Sequence, residues 1–472
     1  MHYAPAGLLA NRFPAAAAYA AMLVGAVGAF LAIDHWGASL EAPALTAPTA
    51  AHARHAPAAQ HGDIVFHVLL ALAAVIVTGR LLSKLFARFQ QPPVIGEVIA
   101  GILLGPSLLG RLSPELSAYV LPQSAAPYLG IVAQLGVILY MFLVGLELNA
   151  GLLRDRAHAT VAISHASIVL PFLLGAVLAL ALYPRLSTSD VRFTSFALFL
   201  GVAMSITAFP VLARILTDRR MTKTDLGVVA LSCAATDDVT AWCLLALVVG
   251  VAQAKIGAAL FVISAALAYI AVMFIVVRPI VTRLAQRYQG TQLTPAATAV
   301  VLVGVLASAL ATQWIGIHAI FGAFLLGAMI PHDSVIAREL TRKLEDLVTI
   351  LLLPAFFAFT GMRTQIGLVS GPEAWLICGV VILVATLGKF GGTVGAARLT
   401  GIGWRDSAAL GVLMNTRGLM ELIVLNIGLD MGVISPTLFA MLVLMAIVTT
   451  MATTPVLSWL VPDHRRGLEA AR

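Results

Sequence analysis

Apolar runs of about 20 residues recur along the whole chain, and each is long enough to cross the roughly 30 Å hydrocarbon core of a bilayer as a helix. They fall near 15–33, 64–80, 94–110, 128–146, 159–183, 193–216, 226–251, 258–278, 294–315, 317–331, 346–366, 374–397, 407–428 and 436–460. In hydrocarbon the backbone must satisfy its own amides, so these runs read as helices and the fold class as an all-α polytopic membrane protein. Composition agrees, with 60% of the 472 residues hydrophobic and only 11% charged. A formal net charge of +7 does not point to nucleic acid, because Lys and Arg sit in short clusters between the runs, where they orient helices. Cys233, Cys243 and Cys378 all lie inside apolar runs. Neither a disulfide framework, a thiolate metal site nor a cofactor is expected.

The first run stands apart. "EAPALTAPTAAHARHAPAAQHGD" (41–63) follows it, a Pro/Ala/His segment without helical amphipathicity that reads as an extended linker. Residues 1–62 therefore form an N-terminal helix and linker, 63–461 a membrane domain of about thirteen crossings, and 462–472 a short tail. If alternate loops are cytoplasmic, those loops carry twenty Lys and Arg, and the opposite loops only Arg111, Arg185, Arg192, Lys255 and Arg363. The bias places the C-terminus inside, in a cell membrane such as the bacterial inner membrane. The first run then crosses outward as an anchor. A signal peptide is the competing reading, since "AHA" at 51–53 has the small-residue pattern of a cleavage site. His52, His55, His61 and His67 could together bind a metal, but in and beside so extended a linker they are not read as a metal site.

The most informative residues are charged ones inside crossings. "LSCAATDDVTAW" (231–242) puts Asp237 and Asp238 midway along an apolar run, where one Asp costs about 2.5–3.5 kcal/mol. Such a pair needs a counter-charge, a wet cavity or a task. Lys389 stands nine residues before Arg398, about 13 Å from the boundary at 1.5 Å per residue, beyond the reach of snorkelling. A mid-membrane Lys and a mid-membrane Asp pair are expected to meet. Arg417 and Glu421 share another run, and their plain reading is an ion pair that fixes packing. "MSITAFPVLARIL" (204–216) places Pro210 inside a crossing beside Ser205 and Thr207, and "MNTRG" (414–418) places Asn415, Thr416 and Arg417 inside a second. Two interrupted crossings in separate halves are the signature of an inverted-repeat transporter with its site near the midplane.

The runs "PPVIGEVIAGILLGPSLLG" (92–110), "LYMFLVGLELN" (139–149), "SITAFPVLARIL" (205–216), "TDDVTAW" (236–242), "GIHAIFGAFLLGAMIP" (316–331) and "LMNTRGLMELIVLNIG" (413–428) together resemble the second monovalent cation:proton antiporter family. The last two are similar to the plant and fungal cation/proton exchangers, a potassium-handling branch. The resemblance implies an inverted-repeat antiporter fold with two broken crossing helices, a homodimer, and a core bundle that moves against a dimerisation bundle. It assigns cation and proton binding to Asp238, a charge-setting carboxylate to Asp237 and its partner to Lys389. Ser205, Thr207, Pro210, Thr236, Asn415, Thr416, Arg417 and Glu421 fall on the site lining. The similar branch more often carries Asn at the first acidic position, which leaves the ion and the stoichiometry open.

Glu97 and Glu147 sit near crossing ends, where a carboxylate caps, pairs with loop arginines or gates, and His318 reads as a boundary residue. The chain ends at "PDHRRGLEAAR", so no fused nucleotide-binding domain is expected. A channel would carry a filter loop or charged rings, and neither is evident. An intramembrane aspartyl protease needs two facing carboxylates, whereas neighbours on one helix diverge by about 100°. The expected function is secondary active exchange of sodium or potassium for protons, with export of an organic cation on the same scaffold as the alternative, and the bilayer and a second copy of the chain are the other partners expected. No enzymatic activity and no metal beyond the transported cation are expected.

Overall fold

The computed structural model describes residues 12–43, 61–147, 157–222, 224–253, 256–287 and 293–461, all helix and connections with no strand among them. The helices of ten residues or more are α1 (Arg12–Gly37), α2 (His61–Arg88), α3 (Pro93–Leu104), α4 (Ala126–Glu147), α5 (Ala157–Leu186), α6 (Phe193–Ser205), α7 (Phe209–Asp218), α8 (Asp225–Gln253) and α9 (Ile256–Val272). They continue as α10 (Arg278–Arg287), α11 (Pro295–Ile315), α12 (Ala319–Met329), α13 (Val335–Leu347), α14 (Leu353–Arg363), α15 (Gly371–Leu399), α16 (Trp404–Met414), α17 (Leu419–Asp430) and α18 (Pro436–Leu460). Single π-helical turns, Met273–Val277 and Val348–Leu352, join α9 to α10 and α13 to α14. Among the described residues twelve helical segments are long and apolar enough to cross a membrane, and thirteen when the bent pair α16/α17 counts as one. Most of the linker, including His52 and His55, and the tail from 462 onward lie outside the described residues.

Breaks occur where the sequence withdraws the next helical bond. After α6 the chain runs extended from Ile206, and α7 starts at Phe209 with Pro210 in its first turn, where the missing N–H has no intrahelical acceptor to lose. The interruption therefore lies at 206–208, ahead of Pro210 and not at it. α16 ends at Asn415, the backbone is extended at Gly418, and α17 leaves at 45°. The run 317–331 yields only the 11 residues of α12, about 16 Å of helix. Gly316, in the left-handed region at φ 97°, ends α11 just before it, and Ile330 turns extended just after.

The helices sort into two bundles. α2, α3, α4, α11, α12 and α14 form one, with α12 laid along α4 and α14 across α3 and α4. Small residues set these distances, as between apolar helices in lipid. A Cβ on Gly145 would sit 2.9 Å from the Gly327 Cα, and one on Gly361 would sit 2.8 Å from the Gly101 Cα. The second bundle joins α5, α6, α8, α15, α16 and α18, with α7 on α8 and α17 on α18 and α6. This core bundle holds every fully buried charge among the described residues: Asp237, Asp238, Lys389, Arg417 and Glu421. α1 packs on α5 and α6.

Candidate cation site at the crossing of two broken helices

The two breaks meet in the middle of the core bundle and bond to each other. The Ala208 amide donates to the Thr416 carbonyl at 2.9 Å, and the Thr207 hydroxyl reaches the Met414 carbonyl at 2.9 Å. Ending a helix in hydrocarbon strands its last carbonyls, and those of α6 are taken by buried cations. Arg417 donates through Nη1 to Ala203 O at 3.0 Å and through Nη2 to Met204 O at 2.7 Å, while Lys389 Nζ donates to Ser205 O at 2.5 Å. Arg417 also pairs with Glu421 at 2.9 Å, with both side chains fully buried. Thr450 accepts from the Arg417 amide at 2.8 Å and donates to its carbonyl at 2.7 Å, so the peptide in the break is held on both sides.

Asp237 and Asp238 face this crossing from α8 and find different surroundings. Asp237 is fully buried and saturated. Its Oδ1 accepts from Ser164 at 2.5 Å, and its Oδ2 accepts from Lys389 at 2.8 Å and shares the protons of two hydroxyls, Thr207 at 2.8 Å with the Met414 carbonyl and Ser167 at 3.0 Å with the Ser164 carbonyl. Lys389 directs its remaining donor at Ser167 Oγ, 3.4 Å away. Asp238, 4% exposed, has no side-chain donor on either oxygen among the described residues, and only the Phe209 amide, in the first turn of α7, is directed at it from the backbone, outside close hydrogen-bond geometry. It lines a cavity of about 10 Å³ with Ile206, Ala241, Trp242, Met420 and Val424, roughly room for one water. About 100° of helical rotation separates the two carboxylates, which suffices to send one into a hydroxyl cage and the other into a chamber.

Larger cavities approach from both ends. At the end carrying Arg80 and Arg214, a funnel of about 370 Å³ includes Glu97, Tyr140, Pro210 and Met420 among its walls, and Met420 also walls the Asp238 chamber. At the other end Gln134, His318, Phe356, Asn426 and Asp430 line a cavity of about 260 Å³ that shares no lining residue with the Asp238 chamber. Arg363 closes that end. It bridges from α14 to Asp430 of α17 at 2.5 Å and to the Asn426 side chain at 3.2 Å.

Not every residue singled out in the sequence turns its side chain to the site. The Ser205 hydroxyl bonds back to Gly201 O at 2.6 Å and to Ile168 O at 3.1 Å, leaving its carbonyl as the site group. The Thr236 hydroxyl bonds to Ser232 O of its own helix at 2.9 Å. Asn415 Oδ1 and Thr416 Oγ1 are buried without partners among the described residues. Glu97 lines the funnel and His318 the opposite cavity, while Glu147 is exposed at the end of α4. Ser164 and Ser167 were overlooked in the sequence. Their signal was two hydroxyls at i, i+3 in the apolar run "VAISHASIVL" (161–170), one helical face aimed at a single target. No group of His, Cys, Asp and Glu able to hold a metal occurs among the described residues.

Residues 70–461 match the transmembrane domain of the sodium/hydrogen exchangers. The chain belongs to that family. It is 46% identical over 401 residues to the Na(+)/H(+) antiporter NhaS4 of Synechocystis, an overlap of 84% of this chain and 98% of that one. Cation/H(+) antiporter 19 of Arabidopsis thaliana is 39% identical over 403 residues, 85% of this chain and 50% of the relative, so the chain spans about half of that plant protein. The solved structure of the sodium proton antiporter MjNhaP1 from Methanocaldococcus jannaschii superposes with a TM-score of 0.61 over 84% of this chain and 96% of that one, at 15% identity. That likeness establishes the fold. An all-α polytopic antiporter fold, expected from the sequence, is what the chain adopts, and as a member of this family it is an integral membrane transporter, not an enzyme.

Proposed function

We propose that the chain exchanges a monovalent cation, sodium or potassium, for protons by alternating access, with Asp238 binding cation and proton in turn. The observation that carries this reading is the asymmetry of the acidic pair. Asp237 already accepts four hydrogen bonds, three from hydroxyls and one from Lys389, whereas Asp238 has no side-chain donor among the described residues, faces only the Phe209 amide of α7 and borders a chamber next to the funnel. A buried carboxylate without a side-chain donor or counter-charge is satisfied either by a proton or by a cation, and competition between the two is what couples opposite fluxes. The freed ends around it, the Met414 and Thr416 carbonyls and the N-terminus of α7, offer oxygens and a dipole suited to a cation–carboxylate pair. The relatives named above are a sodium/proton and a cation/proton antiporter, in keeping with this chemistry.

On this reading the conformation seen is open toward the basic end and shut at Arg363. The basic end, with Arg80 and Arg214, faces the cytoplasm, as the distribution of Lys and Arg implies, and two copies associate through the bundle of α2–α4 and α11–α14, as the resemblance implies. Purified protein in proteoliposomes is the test. A pH gradient should drive saturable uptake of sodium or potassium, and Asp238→Asn should abolish it while the protein still inserts and elutes as the wild type does. Exchange near the wild-type rate in Asp238→Asn rejects the assignment.

A further inference from the structure

The geometry points to α1 as a resident part of the core bundle that stays on the mature chain and moves with it. The contacts of α1 and of the residues just after it run along α5, α6 and their connection. Tyr19 meets the His165 ring edge-on at 5.4 Å between centroids, and Phe30 lies against Phe172 at 5.7 Å. Asp34 Oδ1 accepts from the Thr194 hydroxyl at 2.7 Å, and the Ser189 amide donates to Pro43 O at 3.1 Å. Gly37 lies so close to the Phe193 ring that a Cβ there would overlap it.

These contacts are more specific than apolar packing. Lipid tails solvate an apolar helix as well as another helix does, so association in a membrane rests on small residues at close approach and on polar bonds between helices. α1 supplies one of each, Gly37 and Asp34, to the same point on α6. Only about 6% of its apolar window is buried, which makes that end the seat of its docking. A leader cut at the "AHA" of 51–53 would take Asp34, Gly37 and Pro43 away together. The far end reaches α5 at His165, beside Ser164 and Ser167, which hold Asp237. α1 thus braces the helix that builds the hydroxyl cage.

That α1 moves rests on the alternating-access reading above; that it docks on the core does not. The test is a cysteine pair, Asp34→Cys with Thr194→Cys, in a background without native cysteines, oxidised in proteoliposomes. We expect a crosslink within one chain, an intact mass that includes residues 1–43, and equal exchange rates before and after oxidation. A comparison pair, Arg363→Cys with Asp430→Cys, joined by a bis-thiol reagent long enough to span the Arg363–Asp430 bridge, ties α14 to α17 and should lose exchange on crosslinking, because those two bundles must slide. Gly37→Leu should abolish the 34–194 crosslink by lifting α1 off Phe193. A crosslink between chains, a mature mass lacking α1, or arrest by the 34–194 bond each overturns the inference. If the reduced protein shows no exchange, the antiporter reading fails, while mass and crosslink still report where α1 sits.

Discussion

The core bundle contains two buried ion pairs of similar length and opposite character. Asp237–Lys389 spans 2.8 Å between helices 152 residues apart in sequence, whereas Arg417–Glu421 spans 2.9 Å between residues only four apart, from the break at 415–418 to the first turn of α17. Each partner of the first pair has somewhere else to go. Asp237 keeps three hydroxyls if the lysine leaves, and Lys389 keeps the Ser205 carbonyl. The second pair is committed, because the Arg417 guanidinium also holds two stranded carbonyls of α6 and its peptide is clasped by Thr450. A buried pair whose members have alternatives can open during a cycle. A pair that closes the ends of two broken helices holds the crossing together.

The sharpest break of this comparison is Arg417→Ala. It leaves Glu421 buried without its cation and frees the carbonyls of Ala203 and Met204, a loss of about 3–5 kcal/mol. We expect little monodisperse protein and a large drop in melting temperature in detergent. Wild-type thermal stability in this variant would show that the clamp is dispensable. Lys389→Gln should behave otherwise. Asp237 retains Ser164, Ser167 and Thr207, so the protein folds; if an arriving cation displaces Lys389 from Asp237 and the lysine then gives up its proton, that second proton is missing in this variant. Wild-type exchange should move net charge and respond to voltage by about 2.3 kcal/mol per charge per 100 mV. In Lys389→Gln the cation-dependent current on a solid-supported membrane should vanish while cation uptake persists. Voltage-indifferent flux in the wild type rejects a charge-moving role for the pair.

How much of this was legible follows from what each residue does. The helices were readable because apolar length is a one-dimensional property, and the acidic pair and Lys389 because charges in mid-span are rare enough to stand out. α12 was over-read: "AIFGAFLLGAM" is apolar throughout, and hydropathy does not register that Gly316 and Ile330 stop the helix on either side. Side-chain direction was not legible. Ser205 and Thr236 looked like site residues, yet each hydroxyl turns back to a carbonyl of its own helix, a local bond that always competes with a tertiary one. Ser164 and Ser167 passed unnoticed because serines are tolerated anywhere in a membrane helix. Only the position of Asp237 in three dimensions distinguishes them.

Those two serines give a smaller test. Ser164→Ala together with Ser167→Ala removes two of the hydroxyls that let Asp237 part from Lys389. A hydrogen bond to a charged group contributes about 1.5–3 kcal/mol, so we expect at least about a tenfold loss of apparent cation affinity with folding intact. Unchanged affinity would assign the cage to packing alone.

The smallest effect is expected at Pro210, although from the sequence it is the most conspicuous interruption. Proline breaks a helix by removing an N–H from the middle of the ladder and by clashing with the carbonyl one turn earlier. Here it occupies the first turn of α7, where no such bond exists to remove. The break is made upstream, by the Ala208 amide on Thr416 O, the Thr207 hydroxyl on Met414 O and Lys389 on Ser205 O, and none of these needs Pro210. Pro210→Ala should therefore shift stability by no more than about 1 kcal/mol, mostly through the freedom of the unfolded chain. Exchange should stay nearer to wild type than in any variant above, since Pro210 touches the funnel and not the Asp238 chamber. Proteoliposome flux decides the matter. If Pro210→Ala stops exchange as completely as Asp238→Asn, then the proline and not the crossing bonds keeps the two halves apart, and the second, glycine-containing break at 415–418 must be held open by different means from the first.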